Sequence, residues 1–261
     1  MNKYDLYEWC VTDGPRFARF AKAVHGRSPR VLREDFSGTA ALAKAWASAA
    51  PDQRALAVDL DPKVLRRASA PGVRAIRADA ARCRAKADIV AATNFPLGYF
   101  HERPALVEYL THARRCLNPR GVFLADLYGG RDAMKPLTVR RRLRGPAGER
   151  IEYVWTQVEA DPATNLVTDT LSFTVSTKSK PTNSKSDATH TRRFPDAFVY
   201  RWRLWSIPEL RDAMTDAGFR RVELYTRMGD ALDAEGNLYV RPHDRGEPMD
   251  ENYVVYIAGR R

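Results

Sequence analysis

Apolar residues recur along the chain in two rhythms. Leu6 and Trp9 mark a short helical stripe, which Gly14-Pro15 breaks. Phe17, Phe20, Ala21 and Val24 then recur at i, i+3, i+4 and i+7, the spacing of an amphipathic helix. Short β-type runs follow at residues 30–33, 55–58, 73–77, 87–92 and 122–127. Helical stretches at 40–49, 62–69 and 104–117 intervene. Pro62 suits the first turn of the second stretch. Leu106, Leu110, Ala113 and Leu117 line one side of the third, and Asn118 to Gly121 reads as a turn. Strands separated by helices predict right-handed βαβ units and a parallel sheet covered on both faces.

The rhythm changes after Gly129-Gly130. Ile151 to Glu159 alternates apolar and polar, and Asp161 to Asn165 reads as a turn. Leu166 to Val175 and Phe194 to Trp205 are rich in β-formers, which predicts two or three antiparallel strands. Thr177 to Ser186 is polar and reads as a mobile connection. Helical spacing returns with Ile207, Leu210, Met214 and Ala217 behind the Ser206-x-x-Glu209 capping box, and Gly218 suits the stop. Residues 219–226 and 252–259 read as two last strands. The predicted organisation is an N-terminal helical segment (1–29), an α/β domain (30–130 and 206–261) and an antiparallel β insertion acting as a lid (131–205). The fold class is α/β: a doubly wound, mostly parallel, seven-stranded sheet with that insertion.

Composition narrows the function classes. The chain has 261 residues and 44% hydrophobic content, enough for a core. The sequence has neither the apolar run of a membrane span nor that of a signal peptide, so a cytoplasmic protein without a membrane partner is expected. Cys10, Cys83 and Cys116 are widely spaced, which predicts buried free thiols and no metal site. The net charge is +11, from 43 Lys and Arg against 32 Asp and Glu. Such a surface suits nucleic acid or acidic ligands. The chain holds 34 Arg and nine Lys, so the excess also fits a general arginine bias.

The turn after the first predicted strand carries the chemistry. It reads Glu34-Asp35-Phe36-Ser37-Gly38-Thr39-Ala40. Small residues there let backbone approach a ligand at a helix N-terminus. Neither GxGxxG nor GxxxxGK[ST] is present, which excludes the usual dinucleotide and P-loop fingerprints. Asp59 ends the second strand, where a carboxylate can accept from a ribose diol. Asp79 follows the third and can reach an adenine amino group.

In this ordered set the chain resembles the class I S-adenosylmethionine-dependent methyltransferases. Their first motif reads hydrophobic-Asp-x-Gly-x-Gly-Thr-Gly. Phe36 and Ala40 stand here at the first and last glycine positions. The resemblance covers residues 30–130 well and 206–259 in outline. It implies S-adenosyl-L-methionine as cofactor. It places Glu34 before the methionine amino group and Phe36, Gly38 and Thr39 in the turn. It puts Asp59 and Leu60 at the ribose, Asp79 and Ala80 at the adenine, and Asn94 and Phe95 near the methyl group.

Substrate contacts are expected from position and chemistry at Tyr128, Trp155, Arg201 and Trp205, with His101 as a candidate base. An ion pair of the strand arginines with Asp196 or Glu209 is the structural alternative. Arg140 to Arg144 fits either a phosphate grip or a solvated helix or loop face. Asn94-Phe95-Pro96-Leu97 is a poor match to the Asn-Pro-Pro-Tyr of nucleic-acid amino methylases. The expected activity is N- or O-methylation of a small molecule, with anions among the candidates. The alternatives are an RNA or protein methyltransferase using the basic surface, or a non-catalytic binding module of the same fold. RNA binding would fall steeply with salt.

Overall fold

The fold is a computed structural model that describes residues 1–178, 189–229, 231–232, 234, 237–244 and 246–261. Residues 179–186 of the expected mobile connection lie outside the described residues. The chain divides into two compact units, one of Thr12–Ala133 with Arg203–Arg261, the other of Met1–Val11 with Met134–Trp202.

The larger unit carries a seven-stranded sheet. Its strands are β1 (Val31–Asp35), β2 (Arg54–Asp59), β3 (Val73–Arg77), β4 (Ala87–Ala92), β5 (Leu117–Gly130), β10 (Arg221–Tyr225) and β13 (Asn252–Arg260). The spatial order is β3-β2-β1-β4-β5-β13-β10. The first five strands run parallel, and β13 is antiparallel to both its neighbours. The chain steps outward from β1 to β2 and β3, then returns to β4 on the other side of β1. A reversal of this kind is where open α/β sheets place their ligand crevice, beyond the strand C-termini.

Alternating side chains feed two cores. On one face Leu32, Ile89, Val122 and Leu124 pack with Phe17, Phe20 and Val24 of α2 (Gly14–His25) and with Leu42 and Trp46 of α3 (Ala41–Ala49). On the other, Val90, Phe123 and Leu127 meet Leu106, Tyr109 and Leu110 of α5 (Arg103–Cys116) and Leu210 and Met214 of α6 (Ile207–Asp216). The Ser206–Glu209 capping box forms as expected. Between β2 and β3 lies α4 (Pro62–Leu65), extended by a 3-10 turn.

One buried ion pair lies inside this sheet. Arg33 and Asp35 share a face of β1, and both are fully buried. The Arg33 Nε and Nη2 donate to the two Asp35 oxygens at 2.7 and 2.8 Å. Nη1 donates to the Cys83 and Ala85 carbonyls at 2.8 and 2.9 Å, and Nη2 also to Ala80 at 3.3 Å. All five guanidinium donors are used. Asp35 Oδ2 accepts a further bond from the Tyr109 hydroxyl at 3.0 Å.

The smaller unit is a four-stranded sheet in the order β6-β7-β8-β9. Its strands are β6 (Leu137–Arg144), β7 (Arg150–Asp161), β8 (Leu166–Lys178) and β9 (Thr189–Arg203). Leu6 and Cys10 of α1 (Lys3–Cys10) share a core with Ile151, Tyr153, Leu171 and Phe173.

Three expectations change. The basic run at residues 140–144 is an edge strand, not a helix or loop. Val139, Arg141 and Leu143 lie opposite Trp155, Tyr153 and Ile151, and intervening arginines hide the two-residue period. Residues 118–121 turn within β5. Pairing jumps from Ala87–Leu117 to Ile89–Val122, and Arg120 adopts φ 65° in that bulge. Residues 1–29 do not form one segment. The stripe ending at Cys10 belongs to the antiparallel sheet, whereas that of α2 covers the parallel one. A two-residue pair, β11 (Ala231–Leu232) with β12 (Leu238–Tyr239), was not foreseen.

No helix among the described residues is long and apolar enough to cross a membrane. Cys10, Cys83 and Cys116 are buried free thiols. Replacing Asp35 by Ala leaves Arg33 buried and unpaired. It should cost about 3–5 kcal/mol in urea denaturation, whereas a change below about 1 kcal/mol would contradict this reading of the pair.

Candidate functional site

The C-terminal rim of the parallel strands gathers most of the expected cofactor residues. The chain leaves β1 through Phe36, whose φ of 55° is left-handed, as is that of Gly38 (51°) and Ala40 (59°). A non-glycine residue in this region costs about 1–2 kcal/mol. Phe36 therefore adopts the kind of backbone a glycine would take. Its ring packs edge-on against Tyr109 and Phe100, with centroids 5.5 and 6.1 Å away. The turn is closed by Ser37 N–H donating to Val58 O at 2.9 Å and Ala40 N–H to Ser37 O at 2.7 Å.

Asp59, at the end of β2, clasps this turn. Its Oδ2 accepts from Gly38 N–H at 2.8 Å and its Oδ1 from Asp61 N–H at 2.9 Å. A Cβ built on Gly38 would meet nothing within 4 Å, so the turn borders open space. Leu60 is 65% exposed beside it. The Asp59 carbonyl accepts from Ala78 N–H at 3.1 Å, joining the ends of β2 and β3. Asp79 Oδ1 accepts from Ala81 N–H at 2.9 Å. Ala80 is buried, and its carbonyl is one of those held by Arg33.

Glu34 serves α3 directly. Ala40, the residue before that helix, provides no side-chain cap, and Glu34 Oε2 accepts from Ala43 N–H at 2.8 Å. Burial pushes this carboxyl up to about 8 against the pull of the Ala43 and Leu42 amides. Thr39 is buried in the same turn.

Beyond β4, Asn94 and Phe95 are both left-handed, each with φ 66°. Asp126 of β5 holds them. Its Oδ2 accepts from Asn94 N–H at 2.9 Å and its Oδ1 from Phe95 N–H at 2.8 Å. The Phe95 ring meets Tyr128 edge-on at 4.9 Å. Tyr99 follows and is 49% exposed. Four of the seven left-handed non-glycine residues among those described, Phe36, Ala40, Asn94 and Phe95, thus sit on this one rim. Strain of this kind persists where surrounding bonds enforce it, and it clusters at functional sites.

The expected substrate residues fall in both units. Tyr128 lies on the rim. Trp205 does not reach solvent there, being 3% exposed. Its indole N–H donates to the Leu97 and Phe100 carbonyls at 3.2 and 3.1 Å, and Arg203 lies 3.9 Å over its ring. It braces the loop after Phe95. Arg203 also donates to the His101 carbonyl at 2.8 Å and pairs with Glu209 at 3.4 Å, the structural alternative foreseen for the strand arginines. His101 is half-buried. Trp155 and Arg201 belong to the smaller unit. Trp155 packs against its core with Tyr200, which stacks on Trp202 at 4.4 Å, whereas Arg201 is exposed on the alternate face of β9.

Arg33, Tyr109 and Asp126 were not among the expected site residues. A signal existed for two of them: a lone acid in the apolar run Val122–Leu127, and a charge on a strand expected to be covered on both faces.

No protein-family model and no curated protein matches the sequence. Solved structures do match the fold. An S-adenosylmethionine-bound amino pentose methyltransferase from Micromonospora echinaspora, involved in calicheamicin biosynthesis, aligns with 100% of this chain and 98% of its own. Its TM-score is 0.68 at 15% identity. A sugar N-methyltransferase from a Streptoalloteichus species gives 0.65 at 18% identity, over 99% of this chain and 92% of its own. An S-adenosylmethionine-dependent methyltransferase from Clostridium acetobutylicum gives 0.64 at 12%, over 98% and 96%. The fold is therefore the one that these S-adenosylmethionine-dependent methyltransferases share.

Burial pushes the Asp126 carboxyl up to about 6, although the backbone amides of Phe95, Asn94 and Asp126 itself favour its charged form. The folded value lies above the ordinary value of about 3.9. The associated stability is thus complete below about pH 4 and lost as pH rises through about 6. Asp126→Asn removes this titration. Relative to that variant, the wild type should lose on the order of 3 kcal/mol between about pH 4 and 7 in urea denaturation. Parallel pH curves would contradict the assignment.

Proposed function

We propose that the protein is an S-adenosylmethionine-dependent methyltransferase that methylates nitrogen or oxygen of a small molecule. The observation that carries this reading is the Asp59 carboxylate bonded to Gly38 N–H beside open space, at the reversal point of a methyltransferase fold. The residues present fit the cofactor. Asp59 keeps lone pairs for a ribose diol, and Leu60 offers an exposed apolar wall. Asp79 stands at the neighbouring strand end for an adenine amino group. Phe36 turns its ring into the aromatic cluster of α5 and so fills the first-glycine position without pointing away from the core.

The bound cofactor supplies a methyl group on a sulfonium, already activated for direct displacement. The chain's own task is then mainly alignment of donor and nucleophile. Asn94 and Phe95, fixed by Asp126, and Tyr128 would form the wall near the transferred group. A base is required only if the nucleophile arrives protonated, and His101 is the candidate for that role. The amino pentose and sugar methyltransferases of like fold support a small-molecule substrate.

Incubation with methyl-labelled S-adenosylmethionine and separate pools of small amines, amino sugars, alcohols and RNA tests the proposal. Label should enter a low-molecular-weight acceptor. Transfer to RNA alone would overturn the substrate assignment, and no transfer to any pool by protein that binds the cofactor would remove these acceptor classes.

A further inference from the structure

We infer that the buried Arg33–Asp35 pair is a positioning device for the cofactor site, fixing its adenine side through backbone carbonyls and its opposite wall through Tyr109. This rests on the methyltransferase reading of the rim. Neither residue reaches the rim surface, since both are fully buried. Their influence passes through what they hold. Three Arg33 bonds end on the Ala80, Cys83 and Ala85 carbonyls, the segment directly after Asp79. That segment has no regular helix or strand of its own to fix it. The Cys83 carbonyl receives further support from His112 Nε2 at 2.8 Å and Cys116 Sγ at 3.4 Å, both on α5.

The acid works in the other direction. Asp35 Oδ2 accepts from the Tyr109 hydroxyl, and the Tyr109 ring stacks on Phe100 at 4.9 Å and meets Phe36 edge-on at 5.5 Å. Phe36 sits where the motif ordinarily has glycine, so its bulk has to be accommodated on this side. One pair therefore sets two parts of the rim in a single register. An apolar pair could fill the same volume and leave the fold stable, because replacing a complete buried ion pair by packed hydrophobic residues is often neutral or stabilising. It could not hold three carbonyls.

This separates positioning from mere stability. The test uses the full chain carrying Arg33→Met with Asp35→Leu, and as a second variant Arg33→Lys. The lysine keeps the charge opposite Asp35 but has three donors in place of five. Calorimetry with S-adenosylhomocysteine and with adenosine, well below each variant's melting temperature, gives affinities of the folded protein. Hydrogen exchange at residues 79–86 reads the segment without any ligand. We expect the double variant to melt near the wild type, bind both ligands about tenfold or more weakly, and exchange faster at 79–86. The lysine variant should fall between. A folded variant with wild-type affinity and wild-type exchange at 79–86 overturns the inference. Should the wild type bind neither ligand, the methyltransferase reading fails, while exchange at 79–86 still reports whether Arg33 orders that segment.

Discussion

The Arg33–Asp35 pair is the constraint on which the rim of this protein depends. A charged pair on the innermost parallel strand, roofed by helices, loses its hydration completely and is tolerated only with full hydrogen bonding. Here five donors meet a carboxylate and three carbonyls, and the acid gains a tyrosine hydroxyl. The arrangement demands that β1, the segment before β4 and helix α5 come together in one way. Substituting one partner alone is therefore far more damaging than substituting both.

Carboxylates at strand ends extend the same logic outward. Asp59 gathers the amides of Gly38 and Asp61, Asp126 those of Asn94 and Phe95, and Glu34 the first turn of α3. Each stabilises backbone that would otherwise be strained or unsatisfied. This explains how the chain departs from a glycine-rich motif. Phe36 and Ala40 accept left-handed backbone because neighbouring bonds and ring packing offset its cost. The rim is preformed by the protein's own bonds, with open space left above Gly38.

Much of this was legible in the sequence. The strand–helix alternation gave the parallel sheet, because apolar runs bounded by turns and helical stripes are strong local signals. The acids at the ends of β2 and β3 were found by spacing, as was the Ser206–Glu209 box. Other features were not legible, for physical reasons. Strand β6 is largely exposed and carries arginines between its apolar residues, so its pattern reads as solvated surface. Trp205 stands close to Arg201 and Arg203 in sequence yet braces a loop, a role set by tertiary contacts alone. Glu34 has a local duty to α3 because Ala40 cannot cap it, and no spacing rule reveals that. The carbonyl partners of Arg33 lie about fifty residues away, on backbone that could carry any side chain.

The most direct measurement of the central claim is calorimetric titration of the purified protein with S-adenosylmethionine beside an Asp59→Ala variant. The account predicts saturable binding by the wild type and at least about a tenfold loss in the folded variant, the loss of ribose bonds and of the clasp on Gly38. Absence of binding by folded wild-type protein, or equal binding by both, would contradict it.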